Sequence, residues 1–146
     1  MPRDMIESGN EPRPARDVWG AMLRGFSQRC PKCGKGALFG GYLKVKDTCS
    51  VCGEELHHQR ADDAPPYFTI MIVGHFVVGG LLSMEKAFSP PMWVHSVVWL
   101  PLTLLSSLWL LPRVKGVLIG LQWALYMHGF EDAWRPGQPK PIVRPT

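Results

Sequence analysis

Two apolar blocks divide the chain. Residues 67–111 carry only two formal charges, Glu85 and Lys86, whereas residues 1–66 are rich in charge, proline and glycine. The first block, YFTIMIVGHFVVGGLLSM over 67–84, has eighteen residues. At a rise of about 1.5 Å per residue it covers about 27 Å, close to the hydrocarbon thickness of a bilayer. The second, WVHSVVWLPLTLLSSLWLL over 93–111, is of similar length. Trp93 and Trp109 lie near its ends, where indoles favour a membrane interface. The connecting EKAFSPPM is short, so two transmembrane helices here form an antiparallel hairpin.

Weaker patterns flank the hairpin. In residues 16–29, RDVWGAMLRGFSQR, the positions Val18, Trp19, Met22, Leu23 and Phe26 share one helical face. This basic amphipathic helix suits a membrane surface or the flank of a neighbouring module equally. Residues 114–130, VKGVLIGLQWALYMHGF, are apolar but interrupted by Lys115, Gln122 and His128. A third span would carry Arg135, Lys140 and Arg144 to the far side, so an interfacial amphipathic helix is preferred. Its Gly116-x-x-x-Gly120 permits close helix contact. The proline-rich ends, 1–15 and 131–146, read as disordered tails.

Lys and Arg set the orientation. Ten precede the first span, one lies in the turn and five follow the second span. The positive-inside rule then places both termini in the cytoplasm of a multi-pass inner-membrane protein. No secretory pattern opens the chain, so the N-terminal part is expected to stay in the cytoplasm.

In a cytoplasmic setting four cysteines point to metal rather than disulfides. Cys30 and Cys33, then Cys49 and Cys52, form two CxxC pairs separated by fifteen residues. That spacing fits a four-cysteine zinc site. Glycine follows each pair, at Gly34 and Gly53, and supplies the backbone geometry that a thiolate-binding knuckle needs. Residues 30–60 therefore read as a zinc ribbon, its intervening GALFGGYLKVKDT forming short strands about a Gly-Gly turn. Four thiolates close a tetrahedral site and leave no position for water, so the metal is structural. Zinc is preferred to iron, which accepts the same donors. The formal charge is +4. Four thiolates on one divalent ion contribute −2, leaving +2. His57 and His58 follow a site already complete and read as solvated loop residues.

Polar groups at the membrane supply the other candidates. Asp62 or Asp63 can cap the first span, with Pro65 or Pro66 in its first turn. The same acids would face Arg113 and Lys115 across the hairpin, and a collar of ion pairs there could dock a partner or hold a cation. His75 lies at the midpoint of the first span, where an ionisable group is a functional candidate by default. Thr103, Ser106 and Ser107 could satisfy it as a neutral imidazole. His95 and His128 are further candidate ligands.

The chain thus reads as a small N-terminal β zinc ribbon, an α-helical membrane hairpin and a C-terminal interfacial helix. CPKCGKGALFGGYLKVKDTCSVCG, ADDAPPYFTIMIVGH, WLPLT and KGVLIGLQWALYMHGF, in this order, resemble the bacterial domain-of-unknown-function 983 family over about residues 25–130. The resemblance implies an integral membrane protein with a cytoplasmic zinc ribbon, accompanying or assembling a respiratory (cytochrome) oxidase. It carries no catalytic residue. The leading expectation is a non-enzymatic assembly or docking factor whose partners are the bilayer and a membrane protein. A haem or copper carrier using His75, His95 or His128 is one alternative, and a dithiol redox protein another. Nucleic acid is disfavoured, because Lys32, Lys35, Lys44 and Lys46 equally suit anionic lipid headgroups.

Overall fold

A computed structural model describes residues 13–60 and 63–130. Most of both expected tails lies outside those residues. The described chain runs α1 (Val18–Phe26), β1 (Phe39–Gly41), β2 (Lys44–Val45), α2 (Ala64–Phe88) and α3 (Met92–Ala124).

Asp17 starts α1, its carboxylate accepting the Gly20 N–H at 3.0 Å. The helix ends at Phe26 and the chain turns into the first cysteine knuckle. β1 and β2 pair antiparallel, with Phe39 opposite Val45 and Gly41 opposite Lys44. The hairpin turn is therefore Tyr42-Leu43, not the Gly-Gly pair, which lies inside β1. Leu43 takes a left-handed backbone, φ 60°, and Lys115 Nζ donates to its carbonyl at 2.9 Å. The ladder continues around the knuckles as single bridges, Arg29 to Ala37 and Thr48 to Glu55.

α2 and α3 are both long and apolar enough to cross a membrane. They run antiparallel, bringing Glu85 to His95 at 2.9 Å and Gly80 against the Trp99 ring. Ser89, at φ 42°, closes α2 through a bond from its N–H to the Glu85 carbonyl. Pro90 and Pro91 then separate the helices. Asp63 occupies the N-cap position of α2 yet makes no capping bond. A capping side chain accepts from the second or third helical N–H. Here those residues are Pro65 and Pro66, which have none.

No separate C-terminal helix forms over 114–130. Residues 114–124 prolong α3, and residues 125–130 fold into turns. Thirty-three helical residues rise about 50 Å, well past a hydrocarbon layer of about 30 Å. The burial pattern divides this helix. Its buried residues are Pro112, Gly116, Ile119, Gly120, Trp123 and Ala124, all from residue 112 onward. Residues 92–111 are apolar and largely exposed, and residues 112–124 are a stem on which the N-terminal part sits.

Small residues make that seating. Ala21 and Gly25 of α1 meet Gly116 and Gly120 of α3 so closely that a Cβ at any of the three glycines would strike the opposite backbone. The Gly-x-x-x-Gly pattern therefore serves a contact within the chain. α1 packs on α3 and reaches the knuckle through Arg24, which donates to the Pro31 carbonyl at 2.9 Å. Its Trp19, Leu23 and Phe26 remain exposed. The ribbon core is completed from the same stem, with Cys30, Leu38, Cys49, Leu56 and Ile119 forming one buried cluster.

Candidate metal centre

The two knuckles repeat one local geometry. Gly34 N–H donates to the Cys30 carbonyl at 2.8 Å, and Gly53 N–H to the Cys49 carbonyl at 3.0 Å. Both glycines are left-handed, at φ 67° and 69°, a conformation that opposes any Cβ. Gly36 is tight for a different reason: a Cβ there would collide with the Cys49 sulfur. These constraints turn four side chains to one point. Cys30, Cys33, Cys49 and Cys52 place their sulfurs within 4.8 Å of one another. The cross-knuckle pairs Cys30–Cys52 and Cys33–Cys49 are each 3.7 Å apart. A tetrahedron with metal–sulfur bonds of about 2.3 Å has edges of about 3.8 Å. The four residues therefore fit a four-coordinate cation such as zinc, and the donor set suits iron as well.

The electrostatics divide the thiols. Backbone N–H groups of Gly36 and Lys35 hold the Cys33 thiol down, to about 6. Burial pushes the Cys30 and Cys52 thiols up, which a coordinated cation would reverse.

A buried acid beside the second knuckle ties the ribbon to α3. Glu54 is 7% exposed. One carboxylate oxygen accepts from Lys32 at 2.7 Å, the other from the Trp123 indole at 2.9 Å. Burial alone would raise the Glu54 carboxyl, but Lys32, Trp123 and the charge of Arg16 outweigh it and hold it below the usual range. Arg16 completes the cluster, lying 4.1 Å over the Trp123 ring and 3.8 Å over the Tyr126 ring. Glu54 escapes sequence reasoning because an acid after a glycine knuckle resembles a solvated loop residue. The only hint is the Lys32–Glu54 symmetry, one residue inside the first pair and the other two past the second.

The remaining candidates do not converge. Asp62 lies outside the described residues. Among the described residues no ion pair joins Asp63 to Arg113 or Lys115. Arg113 instead stacks 3.8 Å over Trp109, beside Phe26, and donates to the Trp109 carbonyl at 3.1 Å. Lys115 is held by Leu43. Among the described residues, Arg113 and Lys115 are engaged by cation–π and carbonyl contacts that fasten α1 and the ribbon tip. His75 is exposed on α2, and its Nδ1–H donates to the Met71 carbonyl of its own helix at 2.7 Å. Thr103 and Ser106 likewise bond carbonyls of α3, at Trp99 and Leu102, and do not reach the imidazole. His95 pairs with Glu85, and His128 is exposed in a left-handed turn after α3.

Neither the curated proteins nor the solved structures contain a match to this chain. A family profile does match, over residues 39–123, which takes in the second knuckle, α2 and nearly all of α3. Matching more than half of the chain, it shows that the protein belongs to the family described as "Protein of unknown function (DUF983)".

Proposed function

We propose that this protein is a non-enzymatic accessory or assembly factor of a membrane complex of the respiratory-oxidase kind. In this reading α2 and α3 span the bacterial inner membrane with both termini cytoplasmic. The ribbon, held by structural zinc, is the cytoplasmic docking face. The observation that carries the proposal is the fastening of ribbon to helix: Trp123 to Glu54, Tyr42 to Leu108 and Lys115 to Leu43. A ribbon fixed on a stem continuous with a span moves with that span. Such a body suits registering one component against another, and a closed four-thiolate site offers no open position for catalysis.

The exposed side of the hairpin supports a protein partner beyond lipid. Bonding to Met71 occupies Nδ1 of His75 and leaves Nε2 without a partner on this helix, on an apolar surface. A polar ring nitrogen at that depth calls for a hydrogen-bonding partner from a neighbouring helix. The test is affinity capture of the full chain from gently solubilised membranes. Oxidase subunits or their assembly proteins should co-purify, and be lost with His75→Leu or with ribbon-surface charge reversal. Recovery of the protein alone, at every detergent mildness that preserves the oxidase, would sink the reading.

A further inference from the structure

A second group of metal-binding side chains lies outside the cysteine centre. Glu55, His57 and His58 each present one ligand atom, all within 4.8 Å of one another. We propose that these three residues form an open, exchangeable site for a divalent first-row transition cation, distinct from the four-thiolate centre.

The turn that carries them is fixed by the folded ribbon before an ion reaches this second site. Leu56 is fully buried in the ribbon core. The Asp47 carbonyl accepts from both Leu56 N–H, at 2.7 Å, and His57 N–H, at 3.2 Å. Glu55 bridges Thr48 across the ladder. Three donors within four residues therefore need little further ordering to converge.

The side chains are positioned as well. The His57 and His58 rings lie 3.9 Å apart, tilted by 38°. His58 sits edge-on to Phe130, 5.9 Å between centroids. Gly129, at φ 99°, also lies against the ring, and a Cβ there would come within 2.9 Å of His58 Nδ1. The glycine thus leaves room for the imidazole and keeps Nδ1 toward the turn after α3. Nε2 then faces Glu55 Oε2 at 3.0 Å. That pair marks where a cation would replace the shared proton.

The donor chemistry sets the ion class. Two imidazoles and a carboxylate favour zinc, copper, nickel or cobalt over magnesium or calcium. Three protein donors leave at least one coordination position for water or an external ligand, unlike the closed thiolate centre. His57 is exposed and His58 half-buried, so an ion has a path from solvent. A plain ion pair between Glu55 and His58 would make no use of His57, and this difference gives the test its edge. The proposal stands on these residues alone and does not depend on the accessory-protein reading.

The experiment uses the untagged full chain in nanodiscs, its cysteines saturated with zinc, titrated with cobalt(II). One additional cobalt should bind with weak visible bands and no sulfur-to-metal charge-transfer band. His57→Gln should weaken it on the order of tenfold or more, since even outer-sphere partners of metal ligands are worth 10–100-fold. Glu55→Gln should do the same. His57 is exposed, so its variant should keep the thiolate-bound zinc and the helical circular dichroism, which separates lost binding from misfolding. No cobalt beyond the thiolate centre, a spectrum with thiolate character only, or equal binding by wild type and His57→Gln would each overturn the proposal.

Discussion

The Tyr42 hydroxyl donates to the Leu108 carbonyl at 2.8 Å. That carbonyl is the one whose helical partner would be the N–H of residue 112, and residue 112 is proline. The ribbon tip thus supplies the hydrogen bond that Pro112 removes from α3, at the point where the exposed apolar helix becomes the buried stem. Tyr42→Phe should weaken docking of the hairpin turn by about 1 kcal/mol, the usual worth of one hydrogen bond. The same change in a Pro112→Ala background should weaken it less, because the restored backbone N–H can pair with the Leu108 carbonyl itself. Amide exchange of residues 39–45 in both backgrounds, read as a double-mutant cycle, measures the coupling.

Glu54 gives a prediction with a sign in pH. Its carboxyl is held below the ordinary range, chiefly by Lys32 and Trp123 against the cost of burial. A depressed acid stabilises the fold above its unfolded value, about 4.3, and loses that contribution as pH falls through the lower folded value. Lys32 is raised, mainly by its bond to Glu54. Its contribution is present below about 10.4 and is lost as pH climbs through the folded value. Thermal unfolding followed by tryptophan emission should show a plateau between these limits, falling in acid and again in strong base. Glu54→Ala should shrink the acid limb to the part that comes from metal release, and lower stability by about 2–3 kcal/mol, most of it from the stranded Trp123 indole. Lys32 is about half exposed, so its share is small.

Much of this architecture is legible in the sequence, and the illegible part has a common cause. The knuckles can be read because their demands are local: a CxxC and a left-handed glycine lie within five residues. The apolar helices can be read because composition alone defines them. The length of α3 cannot, since Pro112-Arg113 looks like a helix end until Tyr42, 66 positions away, meets Leu108. Glu54 is hidden likewise, its partner Trp123 being 69 positions distant. Gly20 and Gly25 read as weak points of α1 by propensity. Gly25 proves to be a point where that helix meets the backbone of α3.

Metal removal should separate the two halves of the molecule. The ribbon core holds Leu38, Leu56 and Ile119 besides two cysteines, too little to order thirty residues without the ion. A chelator strong enough to strip the metal should therefore abolish protection across 30–56, and Cys49→Ser should do the same without chelator. α2 and residues 92–111 of α3 make few contacts with the ribbon, so helical circular dichroism should fall only slightly. Release should also steepen as pH drops, because each thiolate lost to a proton is a ligand lost to the metal. Loss of all helical signal on chelation would show that the hairpin depends on the ribbon for its own folding.

The glycine seam is the most sensitive point of the stem. Gly25 and Gly116 approach backbone to backbone, and Gly120 meets Ala21 one turn further along. No side chain can retreat from this contact, because the colliding atoms are main-chain carbonyls. Gly116→Val should therefore part α1 from α3, at a cost at the upper end of the about 1–3 kcal/mol typical of overpacking. Limited proteolysis within residues 18–28 reads out the separation. Cleavage should rise sharply in Gly116→Val and more modestly in Gly116→Ala, whose single methyl still strikes Gly25. Gly79→Ala, where a Cβ meets open space on α2, should leave the pattern unchanged. Parting α1 also removes the Arg24 bond to Pro31, so the first knuckle should yield its metal sooner to a competing chelator than the wild type does. Equal cleavage and equal metal release in Gly116→Val and wild type would mean that α1 is held by Arg16 and Phe26 rather than by the seam.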